Sequence, residues 1–334
     1  MSLSIIVKTE DLGESEERNM PEFEDLLVNG YAYPSISPDT LAWWLPRLTW
    51  VSSFSYGFTE DGELINLEDE NIISQAAASG VGTLMVLTPL DASGAFNDQI
   101  AIAVFNNPAA TDNLIENILQ NILAKGMAGI DFDFEYLAAD YADDYVELVA
   151  RTRSRLAPLG LTVTVALAPK VRADQPGLLY QGHDYAGMGR AADYCLIMTY
   201  EWGYTYGEPM PVSPIINVRR VLEYAVSEIP PEKILMGLNN YGYDWTLPFV
   251  PGESKAEKLS NYQAEARAAY YGVPIQWDEE AMAPFFTYTD PAGRQHIVWF
   301  ENEESWRARL SLVQELGLAG VGIWNIMNVF YGGI

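Results

Sequence analysis

Strand-like and helix-like segments alternate along almost the whole of this 334-residue chain, and that rhythm limits the folds open to it. LLVNGYAY, LTWVSSFSYGF, VGTLMVLTPL, AGIDFDFE, LTVTVALAP, DYCLIMTYEW, KILMGLNNYGYDW and AGVGIWNI read as eight apolar strands. Between them lie amphipathic stretches such as SPDTLAWWLPRL, DENIISQAAASG and NVRRVLEYAVSEI. In TDNLIENILQNILAKG the residues Leu114, Ile115, Ile118, Leu119, Ile122 and Leu123 form one helical stripe, closed by Lys125 and Gly126. A second stripe runs through Tyr141, Tyr145, Val149 and Leu156. Eight strand-then-helix units point to an α/β fold, a closed parallel (β/α)8 TIM barrel, in which the C-terminal ends of the strands carry the site.

Residues 1–25 are acidic and lack a sustained apolar period, which reads as a tail or linker, so the barrel is expected over 26–334. The stretch from about 246 to 300 is too long for a simple loop. Its FTYTDPAGRQHIVWF reads as a β-hairpin, so a small α+β insertion after strand seven is expected to wall one side of the cleft.

A formal charge of −27 argues against nucleic-acid partners and against docking on an anionic membrane surface. There is no apolar run long enough to span a bilayer, and no basic start followed by an apolar stretch and a small-residue cleavage site. Cys195 is the one cysteine and reads as a buried strand thiol. His183 and His296 are the two histidines, far apart and best read as structural, so neither a histidine-rich metal site nor a cofactor is expected.

Within AGIDFDFEYL, a strand puts Ile130, Phe132, Phe134 and Tyr136 on one side and Asp131, Asp133 and Glu135 on the other. The acids could form a solvated edge face, could hold a divalent metal through oxygen ligands, or could do acid/base chemistry on a glycosidic bond. A central barrel strand has no solvated edge, and nothing near the acids supplies a histidine or a phosphate-cradling loop. Residues two apart on a strand lie roughly 6.6 Å apart at Cα, so a proton can be held within the cluster. Asp131, deepest in the barrel, would then raise Asp133, and the pair would set the protonation of Glu135 as the acid.

AGIDFDFE resembles the D-G-x-D-x-D-x-E signature on strand four of glycoside hydrolase family 18, the chitinase-like barrels, with Ala128 in place of the first Asp. MTYEWG, with Met198, Tyr200 and Glu201, resembles the family's M-x-Y-D motif with Glu for Asp, and Trp324 in GIWNI matches its strand-eight tryptophan. Stretches such as NPAATDNLIENIL and EIPPEKILMGLNNYGYDWTLP are similar to the branch found in bacterial spore-cortex-lytic and germination enzymes. Members of that branch usually carry LysM repeats, and these residues contain none. The resemblance implies a bacterial spore, cell wall or extracellular setting and an N-acetylglucosamine-containing polysaccharide as substrate, peptidoglycan or spore cortex ahead of chitin. It further implies a retaining, substrate-assisted mechanism: Glu135 as acid and base, Asp133 and Tyr200 on the acetamido group, Asp131 tuning Asp133, and Trp324 stacking on sugar. Trp202, Tyr31, Tyr241 and Tyr243 are further aromatic candidates for sugar contact. The rival expectation is a catalytically silent, chitinase-like carbohydrate-binding protein; lectins of that kind typically lose the terminal Glu, which is present here.

Overall fold

The computed structural model describes residues 26–90 and 94–330; the acidic tail read over 1–25 lies outside them. Eight parallel strands form the barrel: β1 Leu27–Ala32, β2 Trp50–Phe58, β3 Gly82–Leu87, β4 Gly129–Phe132, β5 Thr162–Leu167, β6 Tyr194–Ile197, β7 Ile234–Asn239 and β8 Gly320–Trp324. Each pairs with the next in chain order, and β1 pairs with both β2 and β8, which closes the sheet.

Helices cover the outside because their apolar stripes meet the outward side chains of the strands. The longest, Pro108–Lys125, starts where the Asn107 side chain accepts from the Ala109 and Ala110 amides, with Pro108 needing no partner for a missing N–H. Leu114, Ile115, Ile118, Leu119 and Ile122 are buried beneath it. Leu123 is exposed, contrary to the stripe drawn through it; it has rotated past the edge of the buried face. Tyr145, Val149 and Leu156 of helix Ala142–Leu156 pack on the same core, and Tyr141, just before the helix, packs against that core partly buried. Cys195 is buried, and burial pushes its thiol up to about 12, as fits a packing residue.

Gly129 shows why the strand-four signature needs a glycine. A Cβ there would run into the Thr162 carbonyl oxygen at the start of β5, so only glycine lets the two strands approach at that point.

KILMGLNNYGYDW is not one strand. β7 ends at Asn239, and Gly242–Leu247 belongs to a second, antiparallel sheet ordered Glu257–Leu259, Gly242–Leu247, Gln295–Trp299, Ala283–Thr289, Gln276–Asp278, with helix Asn261–Tyr271 packed against it. Two asparagines make the break: Asn239 Nδ2 donates to the Tyr241 carbonyl (2.9 Å), and Asn240 Nδ2 to the carbonyls of Asn325 (3.2 Å) and Asn328 (2.9 Å). The second unit therefore begins at about Gly242, where the sequence reading placed it near 246. Its hairpin, Ala283–Thr289 with Gln295–Trp299, is antiparallel as read, and the Asp290 side chain accepts from the Ala292 and Arg294 amides in the turn (2.9 Å each).

Both histidines are structural. His296 bonds Asp244 (2.7 Å) in the core of the insertion, where Tyr288 also donates to Asp244 (2.6 Å). No helix among the described residues is long and apolar enough to cross a membrane.

Candidate active site

β4 carries the acids to the C-terminal mouth of the barrel. Beyond Phe132 the chain keeps a strand-like path for one more step, the Asp133 amide donating to the Leu87 carbonyl (3.0 Å). Phe134 then turns outward and is held on all sides: its ring stacks on Tyr145 (4.8 Å between centroids) and Phe58 (5.4 Å), and its carbonyl accepts from His183 Nε2 (2.8 Å). His183 Nδ1 accepts from the Ala168 amide (2.8 Å), so the proton sits on Nε2. Burial pushes this imidazole down to about 4, keeping it neutral. A histidine far away in sequence thus pins the segment between Asp133 and Glu135.

The three acids climb from the barrel interior to its mouth. Asp131 is fully buried, accepting from the Tyr31 hydroxyl (2.8 Å) on one oxygen and from the Thr164 hydroxyl on the other. Burial lifts its carboxyl to about 6, and the two hydroxyls oppose that rise by stabilising the anion. Asp133, also buried, is raised well above the usual carboxylate range, first by desolvation and then by the charges of Glu135 and Asp131. Its Oδ1 is buried without a hydrogen-bond partner. Glu135 is half-buried and raised to about 7 by desolvation and by the charge of Glu201.

Around them opens a cleft of about 930 Å³ lined by Tyr31, Asp133, Glu135, Met198, Tyr200, Glu201, Trp202 and Trp324. The Tyr200 hydroxyl is raised well above its ordinary value by burial and by the surrounding carboxylates. Three of the sequence candidates, Asp131, Tyr241 and Tyr243, stand outside the lining. Asp131 lies beneath Tyr31 and accepts from its hydroxyl. Tyr241 is buried and donates its hydroxyl to Glu201 Oε1, joined by Tyr243, whose hydroxyl lies 3.0 Å and 3.2 Å from the two Glu201 oxygens. Both tyrosines hold a carboxylate, and sugar cannot reach them as platforms.

Two further expectations change. Strict strand alternation puts Tyr136 on the face opposite the acids, yet it lines the same cleft, because its φ of 60° turns the chain out of the strand path. The insertion contributes none of the residues that line this cleft. It braces the site from behind: Tyr241, Tyr243, Trp245 and Trp299 form a cluster against which Tyr200 and Trp324 pack.

Sequence reading missed several cleft aromatics. Tyr33 and Phe54 meet the Trp324 ring at 6.0 Å and 4.8 Å, edge to face, and Phe96 and Tyr180 line other parts of the cleft. Tyr33 follows Tyr31 by two positions just past the end of β1, a spacing that could have revealed it. Among the described residues no three His, Cys, Asp or Glu side chains are grouped to hold a metal ion.

A (β/α)8 barrel with acids at alternate positions on and just past its fourth strand, a tyrosine after the sixth and a tryptophan at the end of the eighth defines one class of glycoside hydrolases. The chain belongs to it: residues 49–328 match Glycosyl hydrolases family 18. It is 39% identical over 281 residues to the Cortical fragment-lytic enzyme of Bacillus subtilis (strain 168), covering 84% of this chain and 65% of that protein. The chain therefore spans about two thirds of the length of that relative. Among solved structures it superposes on the Bacillus cereus spore cortex-lytic enzyme SleL with a TM-score of 0.88 at 35% identity, covering 92% of this chain and 72% of that one. It also superposes on a chitinase from Chromobacterium violaceum ATCC 12472 with a TM-score of 0.82 at 26% identity, over 90% and 94% of the two chains.

Proposed function

We propose that this protein is a retaining glycosidase that cleaves β-linkages after N-acetylated amino sugars, with spore-cortex peptidoglycan ahead of chitin as its substrate and a spore or cell-wall setting. One observation carries the reading: Glu135 stands at the cleft with its carboxyl raised to about 7, above two buried acids, Asp131 and Asp133, that precede it on and just past the fourth strand. A carboxylic acid that keeps its proton near neutrality can give it to a leaving oxygen. The names of the cortex-lytic relatives favour peptidoglycan over chitin.

In the reaction the substrate supplies the nucleophile. Glu135 protonates the glycosidic oxygen as the bond from the sugar carbon to that oxygen breaks. The 2-acetamido oxygen of the same sugar closes on the carbon, giving an oxazolinium ion. Glu135, now ionised, takes a proton from water, which opens the ring and restores the original configuration. Asp133 Oδ1, the buried acceptor without a partner, accepts from the acetamido N–H and offsets the charge that grows there. The Tyr200 hydroxyl orients the acetamido oxygen, and the Trp324 indole offers an apolar face to the sugar.

The test is to incubate the protein with cortex peptidoglycan, vegetative peptidoglycan and chitin oligomers, and to identify new reducing ends by mass spectrometry. New N-acetylglucosamine ends, produced fastest from cortex and suppressed by a thiazoline analogue of the sugar, are expected. Intact glycans in all three incubations would overturn the reading in favour of a binding protein.

A further inference from the structure

A second cavity of about 750 Å³ adjoins the cleft, and Pro169, Tyr180 and Trp202 face both. Its outer walls are the loop that follows β5 and one side of helix Ile215–Glu228, and they present two guanidinium groups, Arg172 and Arg220. The chain as a whole holds 19 basic against 46 acidic residues. Two arginines against one carboxylate, Glu223, in a single cavity reverse that balance locally.

Neither arginine is firmly committed within the protein. Arg172 faces Asp174 at 3.2 Å, but both side chains are largely exposed, and water screens such a pair. The Arg220 side chain makes no ion pair or hydrogen bond among the described residues. Glu223 is itself drawn toward Arg219, 3.9 Å away and outside the cavity lining. Guanidinium groups match carboxylates in a planar, two-pronged way, so a pair of them at the end of a sugar cleft selects for an anionic substituent. A neutral homopolymer of N-acetylglucosamine offers them no charge to pair with.

We infer that this second cavity is a subsite for a carboxylate borne by the glycan, and that Arg172 and Arg220 are its specificity-determining residues. The inference rests on the glycosidase reading above and deepens it. The carboxylate could belong to the lactyl ether of muramic acid or to a peptide attached there. Both sources share the chemistry, and the experiment separates them.

Binding is measured by calorimetry in the Glu135→Gln background, where bound glycan is not consumed. The probes are a tetrasaccharide of alternating N-acetylglucosamine and N-acetylmuramic acid with free lactyl carboxylates, the same tetrasaccharide carrying an alanyl-glutamate dipeptide, and the fully amidated form of each. At least one charged probe should bind about tenfold more tightly than its amide, and whichever does so identifies the source. Adding Arg172→Gln and Arg220→Gln should bring the charged and amidated forms of that probe to within twofold of each other, with the thermal midpoint of the protein unchanged. Equal affinity for charged and amidated forms in the parent, or a preference that survives both substitutions, would overturn the subsite. Failure of every probe and of chitin oligomers to bind would overturn the glycosidase reading and this subsite with it.

Discussion

Glu135 and Glu201 are two carboxylates in one cleft whose surroundings set them apart. Glu201 is fixed by two tyrosine hydroxyls that donate to it, and its charge helps hold the proton on Glu135. If Glu135 is the general acid, kcat/KM should fall as pH rises through about 7, because only the protonated form can donate. Glu201→Gln removes the neighbouring charge, so the alkaline limb should move to lower pH; a limb that stays in place would show that Glu201 does not set the acid. Glu135→Gln should fold normally and lose about 10² to 10⁴-fold in turnover on a substrate with a poor leaving group. Asp133→Asn separates catalysis from holding sugar. Its amide oxygen can still accept from the acetamido N–H but carries no charge, so kcat should fall by about 10² to 10³-fold. A variant that kept kcat and lost only KM would argue for a binding role.

Elements were legible where a period or a motif marked them. The eight barrel strands and the 283–299 hairpin were visible because apolar runs bounded by turn residues leave few alternatives. The sequence pattern overextends β7 because LNNYGYDW is apolar enough to look continuous, while the break depends on an asparagine side chain reaching Asn325 and Asn328, much later in the chain. Tyr136 was misplaced because alternation assumes an extended backbone, and a left-handed residue, which costs about 1–2 kcal/mol without glycine, leaves no mark in the pattern. The roles of His183, Tyr241 and Tyr243 were hidden for the same kind of reason: each acts through a contact about forty or more residues distant. The joint between insertion and barrel is likewise tertiary. Arg309, fully buried, donates to the carbonyls of Ser305 (2.7 Å), Met282 (3.1 Å) and Ser213 and lies 3.3 Å from Glu301. Arg309→Met would strand Glu301 as an uncompensated buried acid and should cost about 3–5 kcal/mol in denaturant unfolding. Pairing it with Glu301→Gln should recover part of that loss, and a double variant no more stable than the single would show that the carbonyl contacts, not the charge pair, hold the joint.

At the scale of the whole molecule, the acid cluster that makes the site works against the stability of the barrel around it. Asp131 has a proton affinity raised to about 6 in the fold, against about 3.9 in an unfolded chain. The folded state therefore takes up this proton more readily, and the resulting stability is fully present below about pH 4 and lost as pH rises through 6. Glu135, raised to about 7, acts with the same sign over a slightly higher range. The formal charge of −27 adds self-repulsion that also grows as carboxylates ionise. Wild-type stability should thus fall between pH 5 and pH 8, and Asp131→Asn isolates one part of that fall. The amide stays neutral throughout, its oxygen can accept from Tyr31, and its N–H can donate to the Thr164 hydroxyl, so both contacts of Asp131 keep a partner. In urea unfolding the variant should be more stable than wild type at pH 8, by up to about 3 kcal/mol, with the advantage shrinking toward pH 5, while turnover drops because Asp133 loses its tuning partner. A difference between the two proteins that does not change with pH would mean that Asp131 is not the group whose ionisation opposes folding, and the stability cost of the site would then have to lie with Asp133 and Glu135.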